Sequence, residues 1–374
     1  MLYAECSKLI AHSFQSKAFG LKLTAFTMTK GAKIPDPTPG PTPASRFFRD
    51  ILGQERVLGY LKAALRRGRL AHAYLFLGPE GVGKESVARA LAAALNCAEP
   101  REDGDACGSC PSCIRLAAGT NPDFMVIYPT SKGRQPQIKI EQIREFRRVT
   151  AYPPVAGGWR VALVKPAETL NDAAANALLK TLEEPPPRHL LILTAGVEAD
   201  LFPTVVSRCQ TLAFTPLPYP LITEELQRRG LSPSQATLLA ALSGGSLGRA
   251  LALDPEDLLR QRQEVLTDLE ALSHGNSSTA LDWAQGLAKA SVETDTFLVL
   301  TQLWYRDLLL LSWGAPARLL AHQDRLPELQ AEAASNQREA WLAKLAALSE
   351  AQRHLRANLN PELTLDLLGF RLKV

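Results

Sequence analysis

The sequence predicts an α/β P-loop domain built on a parallel sheet, followed by a small helical lid and an all-α C-terminal domain. Three observations carry this. Short apolar runs alternate with helical patterns between about residues 70 and 195, and runs such as Val161-Ala-Leu-Val164 and Leu190-Leu-Ile-Leu-Thr194 are apolar at successive positions. A strand that is apolar on both faces is one covered by helices on both sides. A glycine-rich loop, Gly78 to Gly83, stands between a strand and a helix. Beyond Pro216-Leu-Pro-Tyr-Pro220 the patterns are helical, with no convincing strand.

In chain order, Phe48 to Val57 leads into a helix that runs to Leu65. Tyr74 to Leu77 is a buried strand, and Lys84 to Leu95 is rich in strong helix formers. Asp123 to Tyr128 alternates like a half-buried strand. Ile138 to Val149 places Ile140, Ile143 and Phe146 on one helical face. Trp159 to Val164 is the next strand. Asn171 to Leu182 is a helix that Pro185-Pro-Pro187 stops. Leu190 to Thr194 is a third continuous apolar strand. The domain boundaries expected are 46–216 for the P-loop domain, 217–273 for the lid and 276–374 for the last helical domain. Gly244-Gly-Ser-Leu-Gly248 and His274 to Thr279 break the helical region.

At 374 residues the chain is too long for one small core. Its net charge of +4 permits nucleic-acid contact without arguing for it. No run is long and apolar enough to span a membrane. Residues 1–45 lack a clear period and end in Ile34-Pro-Asp-Pro-Thr-Pro-Gly-Pro-Thr-Pro43, a stiff extended linker, so they are expected to be a disordered extension. A basic start without a clear apolar core or cleavage site is not expected to be a targeting peptide, and Met28 would be the natural initiator if the residues before it are an upstream start-site artefact.

Of six cysteines, four cluster as Cys97, Cys107, Cys110 and Cys113, the spacing C-x9-C-x2-C-x2-C. Two residues between cysteines let both thiolates reach one tetrahedral ion, so the group is expected to hold one structural zinc. Four thiolates leave no open position for catalysis. The polar segment Glu99 to Asp105 has no core of its own, and metal would supply its order. The alternative is a set of reduced thiols or a redox pair.

Gly78, Gly81, Gly83 and Lys84 match the phosphate-cradling motif G-x-x-x-x-G-K-[ST]. Its glycines turn backbone N–H groups toward phosphate oxygens at a helix N-terminus, and Lys84 would reach the β/γ-phosphates. The position after Lys84, where a hydroxyl holds Mg²⁺, is Glu85. Ser86 cannot substitute, because the next helical residue points about 100° further round. A working ATPase strand ends in acids that hold Mg²⁺ and orient water. Here Val161 to Val164 runs into Lys165-Pro166.

Phe48-Arg-Asp-Ile-Leu-Gly-Gln-Glu55, His72-Ala-Tyr-Leu-Phe76, the four-cysteine insert, Asn176-Ala-Leu-Leu-Lys-Thr-Leu-Glu-Glu-Pro-Pro186 and Ser207-Arg-Cys209 together resemble the AAA+ clamp-loader subunits of bacterial DNA polymerase III, gamma/tau and delta-prime. The resemblance is strong from Phe47 to Leu253. In the C-terminal helices, the collar of that family, it rests on length and character. Gamma/tau subunits keep Thr or Ser after the P-loop lysine, an acidic pair at the strand end and an arginine in the lid stretch G-S-x-R. This chain has Glu85, Lys165-Pro166 and Gly248 there, with Arg249 one residue late. Those departures resemble delta-prime, which has given up ATP turnover.

The resemblance implies a non-hydrolysing subunit that binds ATP weakly or not at all. It would work in the cytoplasm in a hetero-oligomeric ring with gamma/tau and delta, helping load the sliding clamp on primer–template DNA. Arg208 would serve as an arginine finger on a neighbour's ATP. The alternative is a gamma/tau-like ATP-hydrolysing subunit. Arg144, Arg147 and Arg148, near one helix end, are either a solvated face that suits the helix dipole or phosphate contacts. Glu85 and Lys165 both occupy positions that converge on one cation in a working site. They are therefore expected to face each other, unless both have drifted to solvent.

Overall fold

The computed structural model describes residues 47–130, 136–156, 158–289, 291–335 and 337–373, excepting the side chains of 289 and 291–293. The extension expected over 1–45 lies outside the described residues. Contacts divide the chain into two compact units, one ending at Leu217 and one running from Pro218.

The first unit alternates strands and helices: α1 (Glu55–Arg66), β1 (Ala73–Leu77), α2 (Lys84–Leu95), α3 (Pro111–Ala117), β2 (Phe124–Ile127), α4 (Ile140–Thr150), β3 (Arg160–Val164), α5 (Asp172–Glu183), β4 (His189–Ala195), α6 (Pro203–Val206) and β5 (Gln210–Ala213). Among the described residues the strands make one five-stranded sheet, ordered β2-β3-β4-β1-β5, with every neighbouring pair parallel. The observed architecture is the P-loop α/β fold the sequence predicts.

Side chains along a strand alternate between faces, and both faces here are buried. Tyr74, Phe76, Val161, Leu163, Leu190 and Ile192 pack with Val87 and Leu91 of α2. Leu75, Ala162, Val164, Leu191 and Leu193 pack with Ile143 and Phe146 of α4 and Leu178 and Leu182 of α5. That two-sided burial is why the strands read as unbroken apolar runs. Asn171 caps α5 by accepting from the Ala174 N–H at 2.8 Å. Because all strands are parallel, the C-terminal ends of β1 and β3 come to one edge of the sheet. Register pairs Leu77 with Ala195 and Val164 with Leu193, which brings the glycine loop and Lys165 to that edge.

β5 is a strand the sequence reading missed. It is short and lies at the sheet's edge, and Leu212 is its one buried residue. Arg208 therefore lies in the turn between α6 and β5.

The second unit is helical throughout its described residues: α7 (Tyr219–Arg228), α8 (Pro233–Leu242), α9 (Leu247–Ala252), α10 (Pro255–His274), α11 (Ser277–Lys289), α12 (Ser291–Ser312), α13 (Leu326–Ala333), α14 (Arg338–Arg356) and α15 (Pro361–Lys373). Ser232 and Gln235 form a capping box at α8, and Asp254 caps α10. α10, α13 and α14 all pack on α12, and α15 packs on α11 and α14. The buried Arg262 of α10 forms a bidentate pair with Asp324 at 2.8 and 2.6 Å. No described helix is long and apolar enough to cross a membrane.

Candidate functional site

The glycine loop leaves β1 at Gly78 and closes at Gly83, with Gly78, Gly81 and Gly83 at φ of 146°, 74° and 105°. Gly78 has no substitute, since a Cβ there would lie 2.4 Å from the Phe214 carbonyl oxygen. Phe214 is held in place because its N–H donates to the Leu77 carbonyl at 2.7 Å.

The loop lysine turns inward. Lys84 Nζ donates to the Gly78 carbonyl and, at 2.7 Å, to the Pro79 carbonyl. Burial pushes this ammonium down to about 8, against the opposing pull of Glu168 and Glu80. The cation that would reach for phosphate is engaged by its own loop.

Glu85 is the second residue of α2. Its Oε2 accepts from Lys165 Nζ, and its Oε1 accepts from Arg89 Nη2 at 2.7 Å and Nε at 3.0 Å. Burial acts to raise the Glu85 carboxyl, but Lys165 and then Arg89 outweigh it and hold the group below its usual range. Aromatic rings back both cations: Lys165 Nζ lies 5.1 Å from the Tyr128 ring centre and the Arg89 guanidinium 5.0 Å from that of Phe124. Pro166 follows Lys165 where an ATPase carries its second acid, so that position offers no carboxylate. Glu168, beyond the strand, accepts from the Gly196 N–H at 3.2 Å. Gly248 and Arg249 lie in the first turn of α9, in the second unit.

A magnesium nucleotide does not fit these residues. The helix start offers a carboxylate instead of a hydroxyl, both of its oxygens are taken by cations, and the strand end offers an ammonium. Sequence reasoning missed Arg89, although Glu85 and Arg89 stand at the readable i, i+4 spacing of a helical ion pair.

The Sγ atoms of Cys97, Cys107, Cys110 and Cys113 all lie within 4.8 Å of one another. Cys107 and Cys113 are 4.0 Å apart, near the ~3.8 Å separation of thiolates around a tetrahedral ion with 2.3 Å bonds. The Cys107 N–H points at Cys97 Sγ at 3.2 Å and the Cys110 N–H at Cys107 Sγ at 3.3 Å. The backbone N–H groups of Cys110 and Ser109 lower the Cys107 thiol to about 6, while burial pushes Cys97 and Cys113 up. Four converging sulfurs that accept backbone N–H bonds can hold one metal ion.

The insert is also tied to the start of the folded chain. Asp105 is fully buried and accepts from the Phe48 and Arg49 N–H groups and from Arg49 Nη1, each at 3.1 Å. The polar segment between the cysteines thus has an anchor that its composition did not suggest.

Arg208 donates to Glu183 through Nη2 at 2.7 Å and Nε at 3.1 Å, and to the Thr204 carbonyl through Nη1 at 3.0 Å. Its side chain stays 35% exposed. On α4, Arg144 and Arg147 are exposed, and Arg148 pairs with Glu145 at 2.7 Å.

The chain resembles known proteins most clearly across this first unit. Residues 53–218 match the family model described as DNA polymerase III, delta subunit. Over 209 residues the chain is 40% identical to the DNA polymerase III subunit delta′ of Pseudomonas aeruginosa, covering 55% of this chain and 62% of that relative. It is 29% identical over 311 residues to the delta′ subunit of Bacillus subtilis, covering 82% and 92%. It is also 35% identical over 255 residues to the tau subunit of Escherichia coli, covering 66% of this chain and 38% of that one. The aligned part therefore spans under two thirds of the Pseudomonas relative and nearly all of the Bacillus one. Across its first unit the chain is thus similar to the delta′ and tau subunits of DNA polymerase III.

Proposed function

We propose that this protein is the non-hydrolysing AAA+ subunit of the DNA polymerase III clamp loader, not an ATPase by itself. It joins gamma/tau and delta subunits in a hetero-oligomeric ring in the cytoplasm, and with them helps place the sliding clamp on primer–template DNA. It presents Arg208 to a neighbouring subunit's ATP. Zinc held by Cys97, Cys107, Cys110 and Cys113 has a structural role, closing an insert that otherwise depends on Asp105.

The observation that carries the non-hydrolysing reading is the engagement of Lys84 and Glu85 by the protein's own groups. The Glu85 carboxylate, engaged by two cations, offers magnesium no hydroxyl, and an ammonium cannot reproduce octahedral magnesium coordination. Arg208 supports the other half of the reading, since it is partly exposed and paired only at the surface.

Nucleotide titration of the purified chain, beside ATPase assays of the reconstituted loader, tests both halves. Tight Mg-ATP binding or turnover by the chain alone favours the gamma/tau-like alternative. Failure to copurify with the other loader subunits sinks the assignment to that complex.

A further inference from the structure

We propose that the Lys165–Glu85–Arg89 network does permanently what a bound magnesium nucleotide does transiently in a working P-loop: it joins the phosphate-loop helix to the end of the neighbouring strand. The inference rests on the non-hydrolysing reading and adds to it. The site has become an internal cross-link, and the P-loop domain holds one conformation whether or not nucleotide is present.

The geometry connects three elements. Glu85 belongs to the first turn of α2, directly behind the glycine loop. Lys165 follows β3, and its backbone N–H donates to the Ile127 carbonyl at 3.1 Å, which ties it to the end of β2. Phe124 of β2 and Tyr128 just beyond it lie against the two cations. The Glu85 carboxylate joins these parts, one oxygen to each cation.

Charge and burial favour a fixed link over a chance surface contact. One carboxylate faces two cations, so no unsatisfied negative charge remains to draw in a metal ion. Glu85 and Lys165 side chains are 21% and 28% exposed and that of Arg89 is 12% exposed, so solvent screening is limited. Lys84, held on the Gly78 and Pro79 carbonyls, closes the loop from the other side.

Hydrogen exchange on the full-length chain tests this, using Glu85→Gln, Lys165→Met and the double variant, each with and without Mg-ATP. The expected result is that Mg-ATP leaves wild-type exchange unchanged. Each single variant should speed exchange of the amides at 85–89 and 165–169 by roughly tenfold, and the double variant should be no faster than the faster single, as for two partners of one interaction. Single variants that exchange like the wild type, or effects that add in the double, overturn the cross-link and leave the non-hydrolysing reading intact. Protection of the wild-type loop by Mg-ATP overturns that reading itself.

Discussion

Arg208 and Glu183 meet through a single carboxylate oxygen, with Nη2 at 2.7 Å and Nε at 3.1 Å from Glu183 Oε1. Glu183 is the last residue of α5 and Arg208 stands two residues before β5, so the pair ties the end of that helix to the turn that leads into the edge strand. Their side chains are 35% and 50% exposed. Pairs this exposed contribute only about 0–1 kcal/mol. The guanidinium is thus oriented at little energetic cost to release, which is consistent with the arginine-finger role proposed for it.

Arg208→Ala should therefore leave the chain folded, with stability changed by no more than ~1 kcal/mol. It should lower DNA-stimulated ATPase in the assembled loader. Where an arginine finger acts in other P-loop systems its loss costs ~10³-fold or more at the affected site. Unchanged turnover at every site of the mutant complex rules the role out.

Metal analysis of gently purified protein should find about one zinc per chain. Stripping it with a strong chelator should lower the thermal midpoint and expose four thiols to a titrant. The N–H···S contacts at Cys97 and Cys107 mean that Cys107→Ser disturbs both the ion and its surrounding hydrogen bonds. No zinc, with four freely reactive thiols in carefully prepared protein, refutes the site.

Asp105 supplies a second hold on the same insert. Asp105→Ala leaves the Phe48 and Arg49 N–H groups without their acceptor in a buried place. The expected loss is about 1–3 kcal/mol in urea unfolding, together with faster modification of the cysteines in metal-free protein. Thiol reactivity unchanged from wild type means that the sulfurs are ordered by other contacts.

What could be read from the sequence divides along a physical line. β1, β3 and β4 were legible because burial on both faces makes them continuous apolar runs. β5 was not, because an edge strand with one buried side chain gives no period to detect. The P-loop, the four cysteines and the meeting of Glu85 with Lys165 were legible from motif positions, since a motif fixes which side chains converge. The anchors of Arg49 on Asp105 and of Arg208 on Glu183 join residues 56 and 25 positions apart. Nothing local encodes them; they exist only once the sheet has formed.

Acid should weaken the Glu85 network in a definite direction. Burial opposes ionisation of Glu85, yet Lys165 and then Arg89 hold its carboxyl below the usual value of 4.5. The unfolded chain therefore takes up this proton at a higher pH than the folded one. Where the unfolded state binds more protons, stability rises with pH. The contribution is thus complete above about pH 4.5 and drains away as pH falls through the lower folded value. Lys165→Met removes the largest favourable cause and should bring the folded value back toward the unfolded one. Other carboxylates held low, such as Asp324 and Glu350, also make wild-type stability fall in acid, but they are common to both proteins and cancel in the difference. Urea unfolding of wild type and Lys165→Met at a series of pH values from 6 to 3 should show a gap that is widest at pH 6 and narrows below about pH 4.5. A gap of constant width down to the lowest pH means that Lys165 stabilises the fold without keeping Glu85 ionised.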